Sequence, residues 1–92
     1  MFQKKYDAGK VYDAVVADYD YERNKAATSG TAGKRLGVHP ATAREWLKHL
    51  EKKGRIWKFA RKHSGAVPHV YLWLPAGKDL PEKYRVQGYA RA

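Results

Sequence analysis

The sequence predicts an α+β domain in which three helices precede a two-stranded β-hairpin. Three observations carry this. Apolar residues recur at three- and four-residue intervals as far as Leu50, a joint at Gly37-Val38-His39-Pro40 interrupts them, and from Ile56 onward the period drops to two.

Between Ala8 and Tyr19 the residues Ala8, Val11, Tyr12, Val15, Val16 and Tyr19 form the stripe of an amphipathic helix, with Asp7 placed to cap it. Gly9 weakens the first turn. The polar stretch Tyr21–Ala27 has no period and reads as a loop. Thr28 and Ser29 then offer cap chemistry for a short second helix ending near Leu36, in which Gly30 and Gly33 lower the intrinsic propensity and leave stability to packing. Gly37 can take positive φ and stop it. Val38-His39-Pro40 makes a sharp turn with proline at a first helical position, opening a third helix over 40–53. Its inward stripe is Ala43, Trp46, Leu47 and Leu50, and Gly54 ends it.

Two strands follow, in which Ile56, Lys58 and Ala60 alternate with Trp57, Phe59 and Arg61, and Val70, Leu72 and Leu74 alternate with His69, Tyr71 and Trp73. Residues 62–68 form a polar, Gly- and Pro-marked hairpin tip, and Pro75 closes the second strand. With Ile56, Val70, Leu72 and Leu74 facing the core, Trp57, Phe59, Tyr71 and Trp73 share the opposite face. That patch is expected to pack on the N-terminal arm (Phe2, Tyr6) or the C-terminal residues Tyr84 and Tyr89; a dimer contact or a platform for single-stranded bases are the other uses. The domain therefore covers 1–75. Residues 76–92 read as a basic, mostly extended C-terminal extension with a short helical turn near Leu80–Arg85.

A chain of 92 residues that is 43% hydrophobic suits one small domain. Cysteine is absent, which removes disulfides and Cys-based metal sites and fits a reducing compartment. No signal-peptide run opens the sequence and no stretch approaches a membrane span, so the expectation is a soluble cytoplasmic protein associated with the nucleoid. The net charge is +10. Lys and Arg balance Asp and Glu over residues 1–27, whereas in 28–92 fourteen basic groups face only Glu45, Glu51, Asp79 and Glu82. A polyanionic partner is implied, and the charge that would meet it lies in the second half of the chain.

The residues Lys34–Val38 (KRLGV), the His-Pro-Ala-Thr-Ala start of the third helix, and Trp46–Ile56 (WLKHLEKKGRI) join a turn, a leucine ladder and a following hairpin in one register. This resembles the winged helix-turn-helix domain of MarR- and ArsR-type transcriptional regulators, over about Ala8 to Leu74. The resemblance implies that the helix after the turn enters the major groove of double-stranded DNA while the hairpin wing lies on the backbone or in the minor groove. The outward positions His39, Ala41, Thr42, Arg44, Glu45 and Lys48 are then the base-reading set. Arg44 suits guanine, Ala41 and Thr42 a thymine methyl, and Glu45 a cytosine amine. Thr28, Ser29 and Thr31 at the start of the second helix, with Lys52, Lys53, Arg55 and Lys58, form the backbone-contacting set. Arg61, Lys62 and His63 belong to the wing.

Other readings are blander. A basic helix face is often only solvated, and Trp46 suits packing better than base stacking. His63 and His69 lack the carboxylate or thiolate partners of a metal site, and Ser64 beside His63 lacks an orienting acid. The expectation is a non-enzyme without cofactor, metal or small-molecule substrate, acting as a sequence-specific regulator, a repressor by promoter occlusion, and open to homodimerisation. The alternatives are a binder without sequence preference, architectural or replication-associated, and a winged-helix module that docks proteins.

Overall fold

In a computed structural model, which describes residues 5–61 and 70–92, the elements follow as α1 (Ala8–Asp18), α2 (Ser29–Leu36), α3 (Pro40–Lys52), β1 (Ile56–Arg61), β2 (Leu72–Pro75), α4 (Glu82–Val86) and β3 (Tyr89–Arg91). The protein is α+β, and among the described residues it has four helices and one three-stranded antiparallel sheet in the order β2-β1-β3.

Local chemistry sets the helix ends. The Asp7 carboxylate accepts from the Lys10 N–H at 3.1 Å and caps α1. Thr28 and Thr31 form a reciprocal capping box on α2, each hydroxyl oxygen accepting from the other's backbone N–H at 3.2 and 2.9 Å. Gly37 ends α2 at φ 69°. Between α1 and α2 the chain is not a loose loop: Asp20 and Lys25 exchange backbone hydrogen bonds of 3.0 and 2.9 Å around a turn with Asn24 at φ 57°. Ala27 then accepts from the Trp73 N–H at 2.9 Å, so an extended residue ahead of α2 adds a bridge beside β2.

Gly33 explains the closeness of α2 and α3. A Cβ there would stand 2.8 Å from the Val38 carbonyl oxygen and 3.5 Å from the backbone of Pro40. The turn folds back onto α2 at the one position where no side chain intervenes, with the Val38 N–H donating to the Gly33 carbonyl at 2.9 Å.

The sheet separates two cores. On the inner side Ile56 and Trp73 join Val11, Val15, Ala27, Ala32, Ala43, Leu47 and Leu50. On the outer side Phe59, Leu72 and Leu74 join Ala26 and Leu80, with Tyr19, Trp57, Tyr84 and Tyr89 packed around them. The expected four-aromatic face therefore does not form. Antiparallel pairing sets Ile56 opposite Pro75 and Lys58 opposite Trp73, which turns Trp73 toward the helices with Ile56 and puts Leu72 and Leu74 on the outer side with Phe59 and Trp57. Of the partners expected for that face, Phe2 lies outside the described residues, Tyr6 packs on the inner core, and Tyr84 and Tyr89 pack on the outer one.

Residues 76–92 depart only in part from the mostly extended tail predicted: the helical turn expected near Leu80–Arg85 is present as α4, but the residues after it form β3, which pairs with β1 through Phe59–Arg91, Ala60–Ala90 and Arg61–Tyr89. Phe59, Leu72 and Leu74 cannot stay in water on a solvated sheet face, and Leu80, Tyr84 and Tyr89 are the apolar groups that cover them. Along α1, Val16 is 45% exposed and Ala14 takes the buried place expected for it.

Candidate nucleic-acid interface

At about 100° per residue, burial of Ala43, Leu47 and Leu50 points one side of α3 into the core and centres Ala41, Glu45, Lys48 and Lys52 on the opposite side. Thr42 and His49 flank that stripe on one edge and Arg44 on the other, and all seven are exposed. Trp46 is half-buried and meets Tyr6 edge-on at 6.2 Å, so it packs rather than projects. Lys48 and Glu45 approach to 3.8 Å on the surface, a contact weak enough to yield to another partner. His39 differs from the reading given to it. Its Nδ1 accepts from the Ala41 N–H at 3.1 Å, making His39 the cap of α3 and leaving only Nε2 to face outward.

The predicted backbone set does not gather in one place. Thr28 and Thr31 spend their hydroxyl oxygens on the capping box, which leaves Ser29 and the first-turn amides of Ser29 and Gly30 as the polar groups free of the cap at that end of α2. Lys52 stands roughly 16 Å along α3 from Ala41. Lys53, the C-cap, and Arg55 lie farther still, and the Arg55 guanidinium sits 4.8 Å over the Tyr12 ring of α1. Lys58 lies 4.8 Å over the Tyr71 ring on the inner face of the sheet. Of the predicted wing residues, Lys62 and His63 lie outside the described residues. Arg61 is described and exposed, and its Nε donates to the Gln87 carbonyl at 3.0 Å.

Sequence reasoning missed the C-terminal cations. The Arg91 guanidinium stacks 3.7 Å over Trp57, and Arg85 donates to the Tyr21 hydroxyl at 3.2 Å. The segment is also tied to the 19–25 turn: the Tyr19 hydroxyl donates to the Asp79 carbonyl at 2.7 Å, and the Asn24 side chain accepts from the Lys83 N–H at 3.1 Å. Burial of the Tyr19 phenol, helped by Asp79, raises its pKa above the ordinary tyrosine value.

Away from the exposed side of α3, a groove of about 630 Å³ runs along α1 and α2, with Val11, Ala14, Leu36 and Trp46 on its floor and Lys5, Lys10 and Asp13 at its rim. Among the described residues no cluster of His, Asp and Glu is placed to hold a metal ion, and no helix is long and apolar enough to cross a membrane. No family model, curated protein or solved structure matches the chain.

Proposed function

We propose that the protein is a winged helix-turn-helix domain that binds double-stranded DNA in a sequence-dependent way and acts as a transcriptional regulator, a repressor by occlusion. The observation that carries this reading is the exposed side of α3. Ala41, Glu45 and Lys48, with Thr42 and Arg44 at its edges, offer a methyl surface, a hydroxyl, a carboxylate and two cations within the first two and a half turns, while the opposite side is wholly buried. That mixture suits base edges, whereas a merely solvated basic face needs no such variety.

Two further features support it. The close α2–α3 joint at Gly33 and Gly37 holds α3 against α2, and an order of three helices followed by antiparallel strands supports the expectation drawn from Lys34–Ile56. The +10 charge supplies the sequence-independent attraction to phosphate. In this arrangement α3 occupies the major groove and the hairpin approaches the backbone or minor groove. The test is selection from random duplex DNA at near-physiological salt. An enriched motif is the expected result, its palindromy reporting the symmetry of the bound species; binding without enrichment would replace this reading with the architectural one.

A further inference from the structure

The outward side of α1 is built unlike the basic surface elsewhere. Lys10, Asp13 and Ala17 follow one another at three- and four-residue spacing on one face of the helix, and all three are exposed. Val16, one turn on from Asp13, is a large apolar side chain left 45% exposed. Beside this row the groove of about 630 Å³ opens over Val11, Ala14, Leu36 and Trp46. Lys5, Lys10 and Asp13 at its rim form no ion pair among the described residues.

Charge identifies what fits there. The chain carries +10, and the excess lies in residues 28–92, so that part of the molecule attracts polyanions and repels its own copies. The groove rim is balanced instead. Lys5 and Lys10 stand with Asp7 and Asp13, and Arg35, which also lines the groove, is paired with Asp18. A polyanion gains nothing from such a rim, whereas an identical rim turned about a two-fold axis supplies an opposite charge for each of its own. The relative direction follows from the same charges. Parallel helices across the axis would set Lys10 on Lys10 and Asp13 on Asp13. Antiparallel helices crossing between Val11 and Tyr12 set Lys10 of each copy against Asp13 of the other.

We propose that the outward side of α1 and the adjoining groove form a self-association surface. Two copies pair there about a two-fold axis with their α1 helices antiparallel, Lys10 of each meeting Asp13 of the other, and Val16 and Ala17 covered at the contact. The pairing leaves the exposed side of α3 open on both copies and stands independently of the DNA-binding reading.

The test is sedimentation equilibrium of the intact protein over a dilution series, beside Lys10→Asp, Asp13→Lys and an equimolar mixture of the two variants, with circular dichroism to establish that each variant folds. The intact protein is expected to pass from twice the mass of the chain to the single mass on dilution. Each variant turns both cross-axis ion pairs into like-charge pairs and should weaken association about tenfold or more. The mixture should recover it, because one variant then offers two carboxylates and the other two ammonium groups. A single mass for the intact protein at every concentration would overturn the proposal. So would a dimer indifferent to both reversals, which would put the contact elsewhere, or a mixture that recovers nothing, which would remove the antiparallel pairing.

Discussion

The two faces of the sheet are closed by different parts of the chain. The inner face packs on α1, α2 and α3, and Ile56, Trp73, Val11, Val15 and Leu47 have no measurable exposure. The outer face is covered by a short segment that returns from the C-terminus, with Phe59 and Leu80 retaining 7% and 6% exposure and with aromatics and hydrogen bonds filling in at the rim. The contrast assigns work. The inner face seats α3 with its far side exposed, whereas the outer face ties the C-terminal segment to β1.

Breaking the inner face should have the largest effect. Leu47→Ala removes a fully buried side chain beneath the proposed reading surface and is expected to cost about 2–5 kcal/mol in chemical denaturation, with DNA binding lost in parallel. Next comes Gly33→Ala, expected to cost about 1–3 kcal/mol despite the better helix propensity of alanine, because the added Cβ meets backbone that has no room to retreat. A stabilised Gly33→Ala protein would show that the α2–α3 joint is looser than described.

The outer face offers finer tests. Native-state hydrogen exchange should show the Ala92 N–H, bonded to the Lys58 carbonyl at 2.9 Å, opening at lower free energy than the Trp73 N–H, bonded to the Ala27 carbonyl at 2.9 Å. Equal protection would mean that the faces fold as one unit. Tyr19→Phe removes the bond to the Asp79 carbonyl and should cost about 0.5–1.5 kcal/mol. Because the folded state raises the Tyr19 pKa, its contribution is complete below the ordinary tyrosine value, about 10, and is lost as pH rises through the raised one. Between those two pH values stability should therefore fall less steeply in Tyr19→Phe than in the intact protein.

What the sequence disclosed follows the range of the interactions. Asp7, Thr28, Gly37 and Pro40 act on residues within one turn of themselves, so α1, α2 and α3 were legible to within a residue or two, as was the change of period at Ile56. The exposed stripe of α3 was legible for the same reason. Register was not. The parity of Trp73 against Ile56 depends on how many residues separate the strands across the hairpin, and a shift of one reverses the face. Within residues 76–92 the turn of α4 was legible but β3 was not, because three residues are too few to show a period and the partners of the segment, Tyr19, Asn24 and β1, lie far back in the chain. Nothing local marks Arg91, and the function of Gly33 appears only once Val38 folds back on it.

The reading role proposed for α3 is tested most directly by the affinity ratio between the selected duplex and a shuffled duplex of the same composition, measured for the intact protein and for Arg44→Ala. The account predicts that Arg44→Ala loses about 1–3 kcal/mol on the selected duplex and little on the shuffled one, so the ratio falls by roughly fivefold to 150-fold. Equal losses on both duplexes, leaving the ratio intact, would contradict it and reduce α3 to another phosphate contact.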